Sequence, residues 1–205
     1  MIRILAIGDS HIPQRAKEVP EQILSRLSQF SGFDYIFFTG DVINAPDFMV
    51  FLKNLTEKEI YHVIGNMDYY GGSREAPVYQ NLVISLEPNN KLIIGLTHGH
   101  QISPRGDHSQ LEILALQKNY NILISGHTHK EEIVLTKNRI LLINPGSVTG
   151  AWSFIASRIP SFIVIQIDEK ASIINLTLHQ YDFKSSSLRE INSSYYFDNK
   201  KIFVR

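Results

Sequence analysis

Ile4-Leu5-Ala6-Ile7-Gly8-Asp9-Ser10-His11 is an apolar run closed by a glycine and followed at once by a carboxylate and an imidazole. The apolar run reads as a buried strand. The same design recurs downstream, ending in Gly40-Asp41-Val42, Gly65-Asn66-Met67-Asp68, Thr97-His98-Gly99-His100 and Gly126-His127-Thr128-His129. These runs offer Asp9, His11, Asp41, Asn66, His98, His127 and His129, the carboxylate, amide and imidazole donors that hold divalent metals. Each glycine is expected to let the backbone turn sharply after its strand and aim the next side chain into a common cleft. Repeated in succession, the pattern argues for a two-metal hydrolytic centre.

Outward from these runs, the first third alternates strand and helix. Ile4 to Ile7, Tyr35 to Phe38 and Ile60 to Ile64 read as strands. Between them, Pro20 and Pro46 open helices with apolar faces on Ile23, Leu24, Leu27 and Phe30, and on Phe48, Phe51, Leu52 and Leu55. That rhythm predicts a parallel sheet covered by helices, with functional groups outside the carboxyl ends of its strands. Farther on, Leu82–Leu86 and Leu92–Leu96 flank a turn at Pro88-Asn89-Asn90, and Ile133–Leu135 and Ile140–Ile143 flank Lys137-Asn138. Leu111 to Leu116 reads as a helix, and Ile122 to Ile124, Phe162 to Ile167 and Ile173 to Leu178 as strands. The expectation is an α/β fold in one domain over residues 1–182, with a mixed sheet or two packed sheets rather than an all-parallel one.

Residues 183–205 differ in character. Lys184-Ser185-Ser186-Ser187 and Asn192-Ser193-Ser194 are small and polar and are expected to be mobile, with a docked hairpin at Tyr195–Phe197 and Ile202–Val204. Lys+Arg and Asp+Glu are both 20, so no net charge points to nucleic acid or an anionic bilayer. With no cysteine, disulfides and thiolate metal sites are excluded. The opening residues run straight into the first motif and read as a strand rather than a leader, and no apolar run approaches the roughly 20 residues of a membrane helix. A cytoplasmic protein is expected, touching membranes only through partners.

The five motifs, in this order, resemble the calcineurin-type metallophosphoesterase superfamily. The resemblance implies a four-layer α-β-β-α sandwich with two mixed β-sheets. It also implies that Asp9, His11 and His129 serve one metal, that Asn66, His98 and His127 serve the other, and that Asp41 bridges them. Two divalent ions are expected, manganese first, with zinc or iron as alternatives, and the chemistry is attack of a bridged hydroxide on a phosphoester, most readily a phosphodiester. Gly8 to Pro13, Thr97 to Gln101, Leu123 to Lys130, Ile143 to Ser147 and Ile159 to Phe162 further resemble the small-subunit family of the retromer coat, whose members serve chiefly as scaffolds. That likeness implies an alternative function, binding a helical-repeat partner and short hydrophobic peptides. In that family asparagine typically replaces the bridging aspartate and aspartate the motif-three asparagine. Asp41 and Asn66 here are instead the residues of catalytic members.

Met67 stands where many active members carry a histidine that protonates the leaving group, a contribution typically worth about 10²–10⁴ in rate. Asp41, Asn66, His98 and His100 are the candidate catalytic residues, with His100 or a water as the acid. Trp152, Phe154 and Ile155 form an apolar cluster that is either core or a partner-binding patch. Arg105 reads as a solvated side chain, with a phosphate contact as the alternative. Asp68, Tyr69 and Tyr70 are candidates for shaping a substrate pocket. His62, His108 and His179 read as ordinary strand or loop histidines, and Asn144-Pro145-Gly146-Ser147 as a tight turn.

Overall fold

Short apolar runs and helical segments in the first half build β1 (Ile2–Ile7), α1 (Glu21–Ser28), β2 (Phe33–Phe38), α2 (Pro46–Asn54), β3 (Thr56–His62) and the short α3 (Asn66–Tyr70). The chain continues through β4 (Tyr79–Leu86), β5 (Asn90–Thr97), α4 (His108–Gln117), β6 (Ile122–Ile124), β7 (Glu131–Leu135) and β8 (Leu141–Pro145). It ends in β9 (Ser161–Asp168), β10 (Ile173–Asp182), β11 (Ser187–Asp198) and β12 (Lys201–Val204). The structure is a computed structural model that describes all 205 residues. Pro46 occupies the first turn of α2, and the Asp107 carboxylate caps α4 by accepting from Gln110 N at 2.8 Å.

The strands form two mixed sheets, of order β12-β11-β10-β9-β1-β2-β3 and β4-β5-β6-β8-β7. The predicted parallel unit is β1-β2-β3, while β9 joins β1 antiparallel. Period-two alternation assigns each strand two jobs. Ile4, Ala6, Ile163 and Ile165 face Leu92, Ile94, Ile124 and Ile143 of the other sheet in the central core. Leu5, Ile7, Phe38 and Phe162 face outward against Ile23, Leu27, Phe48 and Leu52 of the first two helices. On the opposite side Leu123 and Leu142 pack under Leu111 and Ala115 of α4. The result is the α-β-β-α sandwich in four layers.

Three expectations are corrected. β3 spans Thr56–His62, so Val63 and Ile64 lie beyond it as the buried approach to the third motif. The helical turn α3 has no strong apolar period and was not anticipated. The polar stretches after Asp182 are not mobile tail. Ser187 and Asn192-Ser193-Ser194 belong to β11, which pairs with β10 over ten residues from Asp182 opposite Ser187 to Ile173 opposite Tyr196. Backbone pairing does not need apolar side chains, so a largely polar strand escapes a reading based on hydrophobic pattern. Tyr195, Phe197 and Ile202 enter the central core, and Ile202 N donates to Arg139 O at 3.2 Å, tying the chain end to the β7–β8 turn.

Candidate metal centre

The five motifs leave the carboxyl ends of β1, β2, β5 and β6 and the approach after β3, and they converge where the two sheets meet. Asp9, His11, Asp41, His98, His127 and His129 are buried and Asn66 is half-buried. All seven expected ligands come together. Asp9, His11, Asp41 and His129 place one ligand atom each within 4.8 Å of one another. His11 Nε2 lies 3.0 Å from His129 Nε2 and 3.2 Å from Asp41 Oδ2, and His129 Nε2 lies 3.3 Å from Asp9 Oδ1. A second group adjoins it, with His98 Nε2 at 3.4 Å from Asp41 Oδ2, 3.1 Å from Asn66 Oδ1 and 3.2 Å from His127 Nδ1. Asp41 Oδ2 is therefore common to both groups.

The donor set fits cations. His98 Nδ1 sits 2.7 Å from Thr39 O and His129 Nδ1 sits 2.9 Å from Ala151 O, so each Nδ1–H donates to a carbonyl. That tautomer leaves the Nε2 lone pairs facing carboxylate, amide and imidazole acceptors, an arrangement that a divalent ion reconciles. Electrostatics agree. Burial works against the charge on Asp41, yet the hydrogen bond from His11 and the neighbouring His98 hold its carboxyl well below the usual range. Burial also opposes the charge on Asp9, which His129 and His98 outweigh, keeping the carboxyl low. For His127, burial together with His98 and Arg105 pushes the imidazole down to about 3, so it is a neutral donor at pH 7.

Backbone strain is concentrated on the ligands themselves. Asp9 (φ 51°), His11 (φ 48°), Asp41 (φ 56°), His127 (φ 69°) and His129 (φ 58°) all lie in the left-handed region, which non-glycine residues enter at a cost. The expectation that the preceding glycines make these turns needs correcting at Gly8, Gly65 and Gly126, whose φ values are not positive. These glycines are there for space. A Cβ on Gly65 would stand 2.0 Å from Asp41 Oδ1, one on Gly126 2.3 Å from Asp9 Oδ2, and one on Gly8 2.0 Å from Thr39 Oγ1.

A supporting ring of hydrogen bonds holds the strained ligands. Asp68 turns inward rather than lining a pocket, and its carboxylate accepts from Asp41 N (2.7 Å), Ile43 N (2.9 Å) and Gly65 N (3.0 Å). Met67 N donates to Asp41 Oδ1 at 2.8 Å, while Asp9 Oδ2 accepts from Thr39 Oγ1 at 3.1 Å. The Asn144–Ser147 segment is more than a turn. Asn144 Nδ2 donates to Gly126 O and to Thr128 Oγ1, both at 2.9 Å, and Ser147 Oγ donates to Asp9 O at 2.7 Å. The supporting roles of Thr39, Asp68, Asn144 and Ser147 escaped the sequence reading. Asp68 stands two residues after a ligand, and Asn144 and Ser147 lie in a stretch that carries the family resemblance, which were the signals available.

His100 is exposed, and its ring centre lies 5.6 Å from that of His98 and 6.4 Å from that of His127, at the rim. Arg105 is half-buried rather than solvated, with Nη1 donating to His127 O at 3.1 Å. Burial, then Arg15, lowers its guanidinium from the ordinary range, so the two arginines share one region of the rim. Trp152, Phe154 and Ile155 are surface residues, 47%, 84% and 45% exposed, which removes the core reading. Tyr69 and Tyr70 are exposed beside the motif-three ligand. His62 is half-buried behind β3, His108 meets Glu132 on the surface at 3.0 Å, and His179 is buried against Phe162.

The chain is similar to known proteins in sequence and in fold. The chain is 37% identical over 164 residues, 79% of its length and 84% of the relative's, to a probable metallophosphoesterase of Methanothermobacter thermautotrophicus. Wild-type Vps29 of Entamoeba histolytica complexed with Zn²⁺ superposes with a TM-score of 0.76 and 30% identity, covering 93% of this chain and 99% of that one. Vacuolar protein sorting 29 of Cryptosporidium parvum gives 0.79 and 30%, covering 96% and 98%. The profile of the calcineurin-like phosphoesterase superfamily domain matches residues 2–170, and the chain belongs to that superfamily.

Proposed function

We propose that the chain is a divalent-metal phosphodiesterase with two ion sites, Asp9, His11 and His129 at one, Asn66, His98 and His127 at the other, and Asp41 shared. The observation that carries this is the position of Asp41 Oδ2, 3.2 Å from His11 Nε2 and 3.4 Å from His98 Nε2. Divalent ions bound there would supply activation of water near pH 7 and neutralisation of the phosphoryl oxygens. Manganese is the first candidate, zinc or iron the alternatives, since the mixed oxygen and imidazole donors accept all three.

The protein's own contribution is positioning. Asp68 and the Met67 amide fix the Asp41 carboxylate, and Thr39 O fixes the ring of His98. Asn66, half-buried, sets its Oδ1 3.1 Å from His98 Nε2, within the second ligand group. No imidazole replaces Met67, so leaving groups that depart as stable anions are favoured, with His100, its ring centre 5.6 Å from that of His98, or a water as the candidate proton donor. The test is hydrolysis of bis(4-nitrophenyl) phosphate by the manganese-loaded chain, with Asp41→Asn as the control. Turnover that disappears in the variant supports the reading, and equal rates in both proteins defeat it.

A second reading rests on the Vps29 neighbours and the exposed Trp152, Phe154 and Ile155: a scaffold that binds a helical-repeat partner or short peptides, its metal structural. It predicts no turnover above the Asp41→Asn control even with two ions bound. The intact carboxylate at position 41 favours the first reading.

A further inference from the structure

Two arginines stand at the rim of the centre without a carboxylate partner. The ion pairs within 4.0 Å include neither Arg15 nor Arg105. Each is held by a backbone carbonyl instead, Arg15 Nη1 on Trp152 O at 2.8 Å and Arg105 Nη1 on His127 O at 3.1 Å. One tether therefore runs from the residue after Ala151, whose carbonyl orients His129, and the other from the ligand His127 itself. A guanidinium carries five donors, so each arginine retains several for an incoming anion.

Each guanidinium also lies beside an aromatic ring, Arg15 5.5 Å from the centre of Trp152 and Arg105 6.0 Å from that of Phe154. The two rings are 5.4 Å apart, tilted by 55°, and turned to solvent. Desolvating large aromatic surface is favourable, so leaving Phe154 84% exposed beside the unpaired Arg105 guanidinium calls for an occupant. The occupant must be anionic at one end and flat and apolar at the other.

We propose that Arg15, Arg105, Trp152 and Phe154 form the recognition shelf of the proposed phosphoesterase site, and that its substrates are phosphoesters bearing a planar base, the nucleotide class, rather than aliphatic phosphoesters. The inference rests on the phosphoesterase reading for the position of the phosphoryl group. The guanidiniums take oxygens that point away from the ions, as charge-assisted hydrogen bonds with pre-set geometry. The rings take the base, because every base has a π-face and stacking needs no hydrogen-bond code. Both arginines are immobilised by their carbonyls beforehand, which lowers the ordering cost of binding.

Trp152 is the chain's one tryptophan, so its emission reports the shelf directly. The zinc-loaded full chain is titrated with AMP, with glycerol 3-phosphate and with adenosine. Glycerol 3-phosphate affinity is read by competition against AMP, and bis(4-nitrophenyl) phosphate turnover is measured in parallel. AMP is expected to quench Trp152 saturably and to bind at least about tenfold tighter than glycerol 3-phosphate. Adenosine, lacking the anion, is expected to give no saturable change. Phe154→Ala and Arg105→Ala are each expected to weaken AMP by roughly tenfold, with urea midpoints recorded to confirm folding. Equal affinity for AMP and glycerol 3-phosphate, an unresponsive Trp152, or folded variants that bind AMP like the wild type would each overturn the proposal and leave the shelf to a protein partner. AMP binding as expected without diester turnover would instead refute the phosphoesterase reading and leave the recognition site standing.

Discussion

Replacing Asp68 with alanine tests whether the supporting ring, rather than the ligands alone, holds the centre together. Its carboxylate receives three backbone N–H groups, at 2.7 Å from Asp41, 2.9 Å from Ile43 and 3.0 Å from Gly65. Asp41 and Gly65 are buried and Ile43 half-buried, so two of the three donors lose their only partner out of reach of water. Hydrogen bonds to charged groups contribute about 1.5–3 kcal/mol each, and stranding a buried donor costs about 1–3 kcal/mol. Counting the two buried donors and allowing water at Ile43, Asp68→Ala should lose about 3–5 kcal/mol of unfolding free energy. The loss has a second expression. Asp41 is held at φ 56°, and without Asp68 the loop can relax away from that strained conformation. Metal affinity, measured by calorimetry with manganese, should fall at least tenfold, as the loss of second-layer support commonly does. Urea unfolding of the metal-free chain gives the first quantity. Asp68→Asn, which keeps an acceptor oxygen, should fall between the two proteins. An alanine variant within about 1 kcal/mol of the wild type, with unchanged manganese affinity, would refute the reasoning.

Gly65→Ala places a Cβ 2.0 Å from Asp41 Oδ1 and 2.4 Å from its amide nitrogen, and since backbone cannot swing aside, manganese binding should be lost even where the chain still folds; circular dichroism with calorimetry separates the two effects. Phe197→Ala, at the core end of β11, should cost about 3–5 kcal/mol in urea unfolding, whereas a detachable tail would lose almost nothing. Burial pushes His179 down to about 4, so the unfolded chain binds its proton first: stability is complete above the ordinary pKa of 6.5 and falls as pH drops from there toward 4. Between about pH 7.5 and 5 the wild type should lose about 1–2 kcal/mol more than His179→Leu, the Glu190 carboxylate 3.4 Å from Nδ1 offsetting part of the burial. Parallel pH slopes for the two proteins would remove His179 as the cause.

The ligand set was legible in the sequence because it is local chemistry. Each motif attaches a metal-binding side chain to the end of an apolar run, and period-two and helical spacing identify those runs wherever the strand is buried. The apolar strands of both sheets were therefore readable, and the resemblance carried by the motif order implied the four-layer class. What failed had no local pattern. β11 is polar along much of its length, and its place is set by hydrogen bonds to β10, which any side chain allows. Gly8, Gly65 and Gly126 looked like turn residues, but the bend falls on the aspartates and histidines that follow, and the missing Cβ atoms answer to Thr39, Asp41 and Asp9 across the cleft. Asp68 and Asn144 look in sequence like any loop polar residue. The sequence by itself determined which donors exist and in what order they leave the strands. Only the tertiary structure decided that Asp41 Oδ2 is shared by two ligand groups, that Asp68 holds it there, and that two unpaired arginines and two bare rings share one rim. Those are distances between residues far apart in the chain, and they come into being when the two sheets close on one another.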